Sequence, residues 1–556
     1  MAPLLSKSSA GVGKRILGFI LAGLLAGLVI WAIFGRKPSQ APAAEPVFEA
    51  YLKASESVAN FNLGLKVAVS GNTLVATGFK DCPECTTDRV AAAYVFVKEN
   101  GRWTRQARLA ASEEDPKSGI GASVAIERDF ILVGDPFMDS GLGGVYVFRR
   151  TNGAWRQEAL LRPSNADQSY GHGWRFGTSV SISNGTAAIG ASLEGGERGA
   201  VYVFTEDGGA WREQAILRAP NRDVNDYIGG VSISGDTIVF GAYGEDSCAT
   251  GVNGDMSNNA CGPRYGGPGA AYVWVRTGGA WRLQAYLKPS NTKPTPPEDM
   301  GMAFGGWTAI SGDTIAVGAF DNSCAKGVDG EQSGTGCHRA GAVYVFVRKD
   351  GTWSQEAYIK ASDASTESHF VNVSLDGGNL LVGALGQDGT GAAYLFRRRD
   401  GRWTEAARWK APNAGAGDSF GSSVAITGDL MVVGAHLEDS AATGVNGDQS
   451  DNSKTDSGAA YVYSLAPTAT RITSVAPAGA IAGEPYAVSY EVTSPAPGAV
   501  TGYVVVSDGA GAACMGPAPA GSCTLYATSP GEKTISATYR GEGPHAESSA
   551  RTSLKV

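Results

Sequence analysis

Residue types that usually carry catalysis are sparse in this chain of 556 residues. No histidine stands at metal-ligand or triad-like spacing from another, and there is no phosphate-binding loop, nucleophile elbow or HExxH motif. We therefore expect no enzyme active site and expect each histidine to be a surface loop residue. The alternative, an exported hydrolase with a site assembled from distant segments, would leave no local motif. The histidines are His172, His338, His369, His436 and His545.

The eight cysteines fall into four pairs of near neighbours, which predicts disulfides and an oxidising compartment. The pairs are Cys82 with Cys85, Cys248 with Cys261, Cys324 with Cys337, and Cys514 with Cys523. The CPEC sequence of the first pair is also compatible with a thiol-redox motif or half a zinc site. It lies between two strand-like runs and no second CxxC exists, so a structural clip is favoured.

Two long acidic segments share the sequence TGVNGD, which ends at Asp255 and at Asp448, and a third reads KGVDGE. Oxygen-rich side chains around a glycine turn are compatible with calcium binding, and calcium is the one cofactor the sequence suggests. The alternative is a solvated acidic loop whose glycines permit the turn. The candidate calcium ligands are Asp246, Asn253, Asp255, Asp439, Asn446 and Asp448.

A unit of roughly 50 to 75 residues, repeated seven times, must position these segments. Each unit has four runs in which Val, Ile, Tyr and Phe alternate with small residues, as β-strands do. Tight glycine turns join the first run to the second and the third to the fourth. The other two connections are long and variable, so all the long loops lie on one face, where binding residues are commonly displayed.

The last unit lacks its fourth strand, while residues 48–55 have the fourth-strand pattern with no unit before them. We therefore predict an all-β fold, a seven-bladed β-propeller over residues 48–466 that an N-terminal strand closes, because closure removes exposed sheet edges. An open β-solenoid is the alternative, and it would not need a displaced terminal strand.

The repeated FGxSVAI and VVGA runs, read as FGTSVSI at Phe176 and FGSSVAI at Phe420, resemble the FG-GAP repeat of integrin alpha heads and of many exported bacterial proteins. The resemblance implies a propeller that recognises ligands with its loop-bearing face. The calcium loop of integrin blades lies between the first and second strands. Here two-residue turns occupy that place, so that calcium site does not carry over.

Residues 469–556 change to shorter alternating runs, which predict a small β-sandwich. The segment from Gly531 to Gly541 resembles bacterial immunoglobulin-like domains, which usually act as spacers or stalks, and Cys514 with Cys523 is expected to close a local loop in it. The pair lacks the wide separation of an antibody-type bridge.

The N-terminus is interpreted as a targeting element, with a cytoplasmic segment 1–15, a transmembrane signal anchor 16–35 and a linker 36–47. The protein is then a single-pass membrane protein with its C-terminal domains outside, in the periplasm or extracellular space. Cleavage after Ala43, giving a secreted protein, is the alternative. A net charge of −8 without a long basic run after residue 37 argues against a nucleic-acid partner.

These features predict an exported, non-enzymatic binding or adhesion protein that recognises an extracytoplasmic protein or glycan. Tyr170, Trp174 and Arg175, in one fourth-to-first loop, are the candidate ligand-binding residues because exposed aromatic and Arg side chains anchor interfaces. The alternative for Trp174 is packing against its own blade. A structural scaffold of the cell envelope is the other non-enzymatic function that the sequence allows.

Overall fold

A computed structural model describes residues 45–56, 58–79, 91–110, 120–166, 173–262, 266–294, 301–496 and 498–556. The expected signal anchor and cleavage site, Cys82, Cys85, Tyr170 and His172 lie outside the described residues. Within these ranges, no helix is long and apolar enough to cross a membrane. The short helical turns of the described chain are Met138–Gly141, Glu194–Glu197 and the 3-10 turn Gln387–Gly389.

The first part of the described chain folds into four-stranded antiparallel sheets, numbered here in chain order. Sheet 1 contains β2 (Lys66–Ser70), β3 (Thr73–Phe79), β4 (Ala91–Glu99) and β5 (Arg102–Leu109). Sheet 2 contains β6 (Ser123–Glu127), β7 (Phe130–Asp135), β8 (Gly144–Thr151) and β9 (Ala154–Leu161). Sheet 3 contains β10 (Phe176–Ser183), β11 (Thr186–Ala191), β12 (Ala200–Asp207) and β13 (Ala210–Leu217).

Three further sheets repeat the same order. Sheet 4 contains β14 (Ile228–Ser234), β15 (Thr237–Ala242), β16 (Ala270–Thr277) and β17 (Ala280–Leu287). Sheet 5 contains β18 (Trp307–Ser311), β19 (Thr314–Ala319), β20 (Ala342–Lys349) and β21 (Thr352–Ile359). Sheet 6 contains β22 (Phe370–Asp376), β23 (Asn379–Ala384), β24 (Ala392–Arg399) and β25 (Arg402–Trp409).

Sheet 7 is completed by the N-terminal strand. Its chain-order strands are β26 (Phe420–Thr427), β27 (Leu430–Ala435) and β28 (Ala459–Ser464), and its fourth strand is β1 (Val47–Leu52). The register of this antiparallel pair sets Tyr51 opposite Tyr461. The N-terminal strand therefore completes the last sheet, as the sequence predicts.

Glycines at the ends of the second strands let the sheets approach closely. A Cβ on Gly241 of sheet 4 would lie 2.0 Å from the carbonyl oxygen of Gly305, just before sheet 5, and one on Gly434 of sheet 7 would lie 2.0 Å from that of Gly64, just before sheet 1. Only glycine permits this spacing. The first strands contact one another in circular order from β2 to β26 and back to β2, which is the arrangement of a β-propeller.

The recurring tryptophans join neighbouring sheets. Each indole Nε1 donates to a Glu or Gln on the fourth strand of the preceding sheet, over 2.8 to 3.3 Å. The first of these contacts, Trp103 to Glu49, links sheet 1 to β1 and closes the ring. The pairs are Trp103 with Glu49, Trp155 with Gln106, Trp211 with Glu158, Trp281 with Gln214, Trp353 with Gln284, and Trp403 with Glu356.

The C-terminal part is a module of two sheets around one apolar core. One sheet contains β29 (Ala469–Ala476), β30 (Pro485–Thr493) and β33 (Ala520–Tyr526). The other contains β31 (Tyr503–Ser507), β32 (Ala513–Pro517), β34 (Glu532–Tyr539) and β35 (Ser548–Lys555). The Cys514–Cys523 disulfide joins β32 to β33, so the expected local loop also links the two sheets.

The C-terminal module contacts the propeller directly. The Ala466 N–H donates to the Pro544 carbonyl over 2.7 Å, and the Ala546 N–H donates to the Ala466 carbonyl over 2.8 Å. From sheet 6, the buried Arg397 donates through Nη1 to the His545 carbonyl over 2.7 Å. These contacts fix the module against the propeller, and its role as a spacer or stalk stays a prediction.

Candidate functional site

The two ends of the sheets differ in their connections. We call the end with the first-to-second and third-to-fourth turns the turn face, and the other end the loop face. The long segments 243–268, 320–340 and 436–457 connect second to third strands in sheets 4, 5 and 7, so their described parts lie on the loop face. The sequence predicts ligand binding on this loop face.

A buried ion pair holds each of these three loops. In each case a carboxylate just after the second strand meets a lysine at the end of the fourth strand, and every one of these side chains is at most 3% exposed. Charges buried to this extent are stable only when paired. The pairs are Glu245 with Lys288 at 2.7 Å, Asp321 with Lys360 at 3.1 Å, and Glu438 with Lys53 at 2.7 Å.

Sheet 4 shows how each ion pair is completed. Tyr286 Oη donates to Glu245 Oε1 over 2.8 Å and shares a hydrogen bond of 2.6 Å with Ser247 Oγ. Asn221 Nδ2 donates to the same carboxylate over 2.9 Å. Burial lowers the pKa of Lys288, although Glu245 opposes this. The same tyrosine and serine contacts recur in sheets 5 and 7, so these networks position the loops.

The candidate calcium residues have other partners in the described chain. Asn253 Oδ1 accepts from the Tyr286 N–H over 2.9 Å, and Asn446 Oδ1 accepts from the Tyr51 N–H over 2.8 Å. The preceding valines, Val252 and Val445, form β-bridges to fourth strands. The shared GVN sequence therefore covers the outer edge of a sheet.

The four acidic candidates for calcium binding contact different residues and do not share a partner. Asp255 and Asp448 are exposed and accept from Ser257 and Ser450, Asp439 accepts from the Asp456 N–H, and burial raises the pKa of Asp246. In the described ranges, no group of three or more His, Cys, Asp or Glu side chains is arranged to hold a metal ion. Calcium binding stays a prediction, which calorimetric titration of the Asp255→Asn/Asp448→Asn chain against wild type tests.

Trp174 does not have the expected exposure, because it is 3% exposed and packs in the core between sheets 2 and 3. The preceding Gly173 lies against the backbone of Gly141, which draws this segment inward. The predicted exposed aromatic anchor is therefore wrong for Trp174. Arg175 is half-buried and stacks over Phe137, with 4.3 Å between its guanidinium carbon and the ring centroid, and burial lowers its pKa.

Half-buried aromatic and cationic side chains lie at the loop-face ends of strands in sheets 4 to 6. Tyr227 and Tyr243 stack with 5.4 Å between ring centroids and 13° between planes. Phe320 contacts Trp307 edge to face at 5.2 Å and lies 5.4 Å from the His369 ring. The Arg339 guanidinium lies 5.8 Å from the Phe320 centroid. We call this set the mouth cluster: Tyr227, Tyr243, Trp307, Phe320, Arg339 and His369.

The backbone at the mouth is unusual for its residue types. Tyr227 has φ +49° and His369 has φ +51°, a left-handed conformation that bulky residues rarely adopt. The same conformation recurs directly before the first strands of sheets 3 and 7, at Arg175 and Ser419, and four residues before that of sheet 1, at Asn62. It is therefore a property of the repeat, and the neighbouring packing must hold it in place.

One carboxylate joins two histidines that sequence spacing did not connect. Glu367 Oε1 lies 2.6 Å from His338 Nδ1, and Glu367 Oε2 lies 3.0 Å from His369 Nε2. The hydrogen bond with His338 lowers the pKa of Glu367, whereas burial lowers that of His369. The Cys324–Cys337 disulfide immediately precedes His338.

The expectation that every histidine is a surface loop residue is also wrong for His545, which is 2% exposed. At His436, burial lowers the pKa to about 4. The disulfide prediction is confirmed for Cys248–Cys261, Cys324–Cys337 and Cys514–Cys523. The remaining pair, Cys82 and Cys85, is outside the described residues.

The FG-GAP repeat family model matches five stretches of the chain, residues 103–148, 155–204, 211–260, 353–396 and 403–463. No curated protein matches this chain. Among solved structures, a prolyl endopeptidase is 11% identical with a TM-score of 0.39, over 82% of this chain and 55% of that one. A puromycin-hydrolysing peptidase of Mycobacterium tuberculosis is 12% identical with a TM-score of 0.37, over 81% of this chain and 61% of that one.

TolB from Acinetobacter baumannii is a further similar structure, 12% identical with a TM-score of 0.28, over 61% of this chain and 64% of that one. The chain thus spans between 55% and 64% of the lengths of these three proteins. Similarity at this level carries no inference about activity.

Proposed function

Because this chain is an FG-GAP repeat protein with a β-propeller fold, we propose that it is an exported, non-enzymatic binding or adhesion protein. In this proposal the seven sheets are seven blades, the C-terminal module is an immunoglobulin-like sandwich, and the loop face recognises an extracytoplasmic protein or glycan. The three disulfides support export, because such bonds persist in oxidising compartments. Segment 16–35 anchors the protein in the membrane, unless cleavage after Ala43 releases it.

The observation that carries the proposal is the mouth cluster. Tyr, Trp and Arg side chains are the groups that most often anchor binding interfaces, because they offer large contact areas with polar edges. Here they are half-buried, so each is partly open to solvent and partly held by its neighbours.

The loops around the mouth cluster are constrained before any ligand binds. The Lys288–Glu245 and Lys360–Asp321 ion pairs and two disulfides constrain the loops of sheets 4 and 5. A preorganised surface loses less conformational entropy on binding than a flexible one. The arrangement therefore suits recognition of a partner.

Glycan and envelope-protein arrays probed with the full chain test this function. Two variants take the residue found at the same place in another sheet: Tyr243→Ser, as Ser192 in sheet 3, and Phe320→Leu, as Leu385 in sheet 6. We expect each to weaken binding of an array ligand about tenfold or more. Tyr503→Ser, which removes a tyrosine 61% exposed on the C-terminal module, is the matched control.

Three results contradict the proposal. The first is array binding that both mouth variants retain, and the second is loss of the native circular dichroism spectrum together with binding. The third is turnover of ester, phosphate or glycoside substrates that these variants abolish, which identifies a hydrolase. A stoichiometric envelope partner held through another surface would instead support the scaffold function.

A further inference from the structure

An open cleft of about 790 Å³ lies on the turn face between sheets 2 and 3, on the opposite side of the propeller from the mouth cluster. Three arginines and one phenylalanine line the cleft: Arg128, Arg149, Arg150 and Phe130. Four carboxylates also line it: Glu127, Asp129, Glu158 and Glu206. None of these residues belongs to the site of the proposed function.

Two of the lining residues depart from the repeat. Phe130 begins the second strand of sheet 2 and is paired with Arg149 on the third strand. The same pair is Thr73 with Val97, Thr237 with Val275 and Thr314 with Val347 in sheets 1, 4 and 5, and Thr186 with Thr205 in sheet 3. Sheet 2 therefore has a ring and a guanidinium where sheets 1, 3, 4 and 5 have small side chains, while sheet 7 has Leu430 with Ser464.

Sheet 6 shows what an arginine at this position does. Its pair is Asn379 with Arg397, and Arg397 Nη1 donates to the main-chain carbonyl of His545 in the C-terminal module over 2.7 Å. Arg397 is 5% exposed because the module covers it. In this chain, the arginine thus holds a polypeptide loop that docks on the turn face.

Arg149 is held in place but keeps hydrogen-bonding capacity. Its guanidinium lies 5.0 Å from the Phe130 centroid, and its Nη1 lies 3.3 Å from Glu158 Oε2 and 3.9 Å from Glu206 Oε1. Both carboxylates approach the same nitrogen, whereas a guanidinium carries five N–H donors. The Arg149 side chain is 42% exposed, so a carbonyl oxygen has access to it.

We propose that this cleft is a second binding site, which accepts a loop of a partner protein. The loop places a main-chain carbonyl on the Arg149 guanidinium, as the His545 loop does on Arg397, and a side chain against Phe130. The chain's own C-terminal loop is already docked on sheet 6, so the occupant is a different protein. With ligand on the loop face, such a site lets the propeller connect two molecules.

A double variant that restores the repeat tests the site. Phe130→Thr/Arg149→Val installs the pair found in sheets 1, 4 and 5, so we expect the native circular dichroism spectrum to be retained. The melting temperature should fall slightly, because Phe130 also packs edge to face on Trp211 with 5.7 Å between ring centroids. The probe is a phage-displayed library of cyclic seven-residue peptides, selected on the immobilised full chain. We expect selected peptides to lose affinity about tenfold or more with the double variant, because a charge-assisted hydrogen bond and an aromatic contact are removed.

The matched control is Arg282→Val, which removes one exposed arginine from sheet 4 outside the cleft lining. Retained peptide binding in this control and in Tyr243→Ser supports a separate site on the turn face. The proposal is overturned if no selected peptide distinguishes the double variant from wild type. It is also overturned if Arg282→Val weakens binding equally. Loss of array binding by Tyr243→Ser, in contrast, reports on the proposed function alone.

Discussion

The loop face and the turn face are stabilised in different ways. On the turn face, nearly the same contact recurs from sheet to sheet, as with Trp281 donating to Gln214 and Trp353 donating to Gln284. On the loop face, sheets 4, 5 and 7 have ion pairs with both side chains buried. In sheets 2, 3 and 6 the cations at the same strand end, Arg162, Arg218 and Lys410, are 33 to 38% exposed. Repetition thus marks the residues that join the sheets, and departure from repetition marks residues with local roles.

Deleting residues 47–55 should have the largest effect, because it removes stabilising contacts on both the turn face and the loop face. The deletion removes Glu49 from Trp103, leaves β28 with an unpaired edge and leaves Glu438, 1% exposed, without Lys53. We expect aggregation or loss of cooperative unfolding, measured by sedimentation and thermal denaturation. An unchanged melting temperature would contradict closure of the ring by β1.

Lys288→Met tests the loop-face ion pairs. It leaves the Glu245 carboxylate, 1% exposed, without its cation, and we expect a loss of about 3–5 kcal/mol in the free energy of unfolding. Lys288→Met/Glu245→Gln should recover part of this, because the uncompensated charge is gone. Equal stability losses in the single and double variants, measured by urea denaturation, would argue against the ion pair as the cause.

The pH dependence of stability tests the charges around the sheet 4 loop. Burial raises the pKa of Asp226 to about 7, and the neighbouring Glu245 and Asp246 add to the effect. The folded protein retains this proton where the unfolded chain has lost it, so stability should fall as pH rises from about 4 to about 7. Asp226→Asn should flatten this slope in denaturation at several pH values. An identical slope in the variant would exclude Asp226 as its source.

Removing the sheet 4 disulfide tests whether the loop depends on covalent closure. Cys248→Ser/Cys261→Ser opens a bridge with a sequence separation of 13, and we expect a loss of about 2–3 kcal/mol. Proteolysis of the native protein should become faster within residues 243–262, with the sheets intact. Equal cleavage rates in variant and wild type would show that the non-covalent contacts hold the loop without the disulfide.

Trp353→Phe should give the smallest effect on stability, and it tests the tryptophan contact that joins neighbouring sheets on the turn face. The substitution removes the 2.8 Å hydrogen bond to Gln284 and weakens the stacking of Arg348, whose guanidinium lies 5.0 Å from the ring. We expect a loss of about 1–2 kcal/mol in urea denaturation, with unchanged ligand binding. A Trp307→Phe chain, altered at the mouth cluster, should show the reverse pattern.

Local sequence patterns determined the strands, the tight turns, the N-terminal closing strand and three disulfide pairs, because each depends on the pattern of residues close together in the sequence. A lysine follows the fourth strand at Lys53, Lys288 and Lys360, but also at Lys410 in sheet 6, where the loop is short and the lysine pairs with the exposed Asp388. The lysine alone therefore did not mark the long loops. Its partners were not readable. Lys53 and Glu438 are 385 positions apart, and only closure of the ring brings them together.

Tertiary structure alone decided the candidate sites. His338 and His369 meet at Glu367 because two loops converge, and Trp174 is buried because its segment folds against Gly141. Arg397 and Arg149 occupy the same register in two sheets, yet one is covered by a loop 148 residues away and the other remains exposed. Repeated sequence specifies how each sheet is built, whereas burial and partners depend on which distant segment packs beside it.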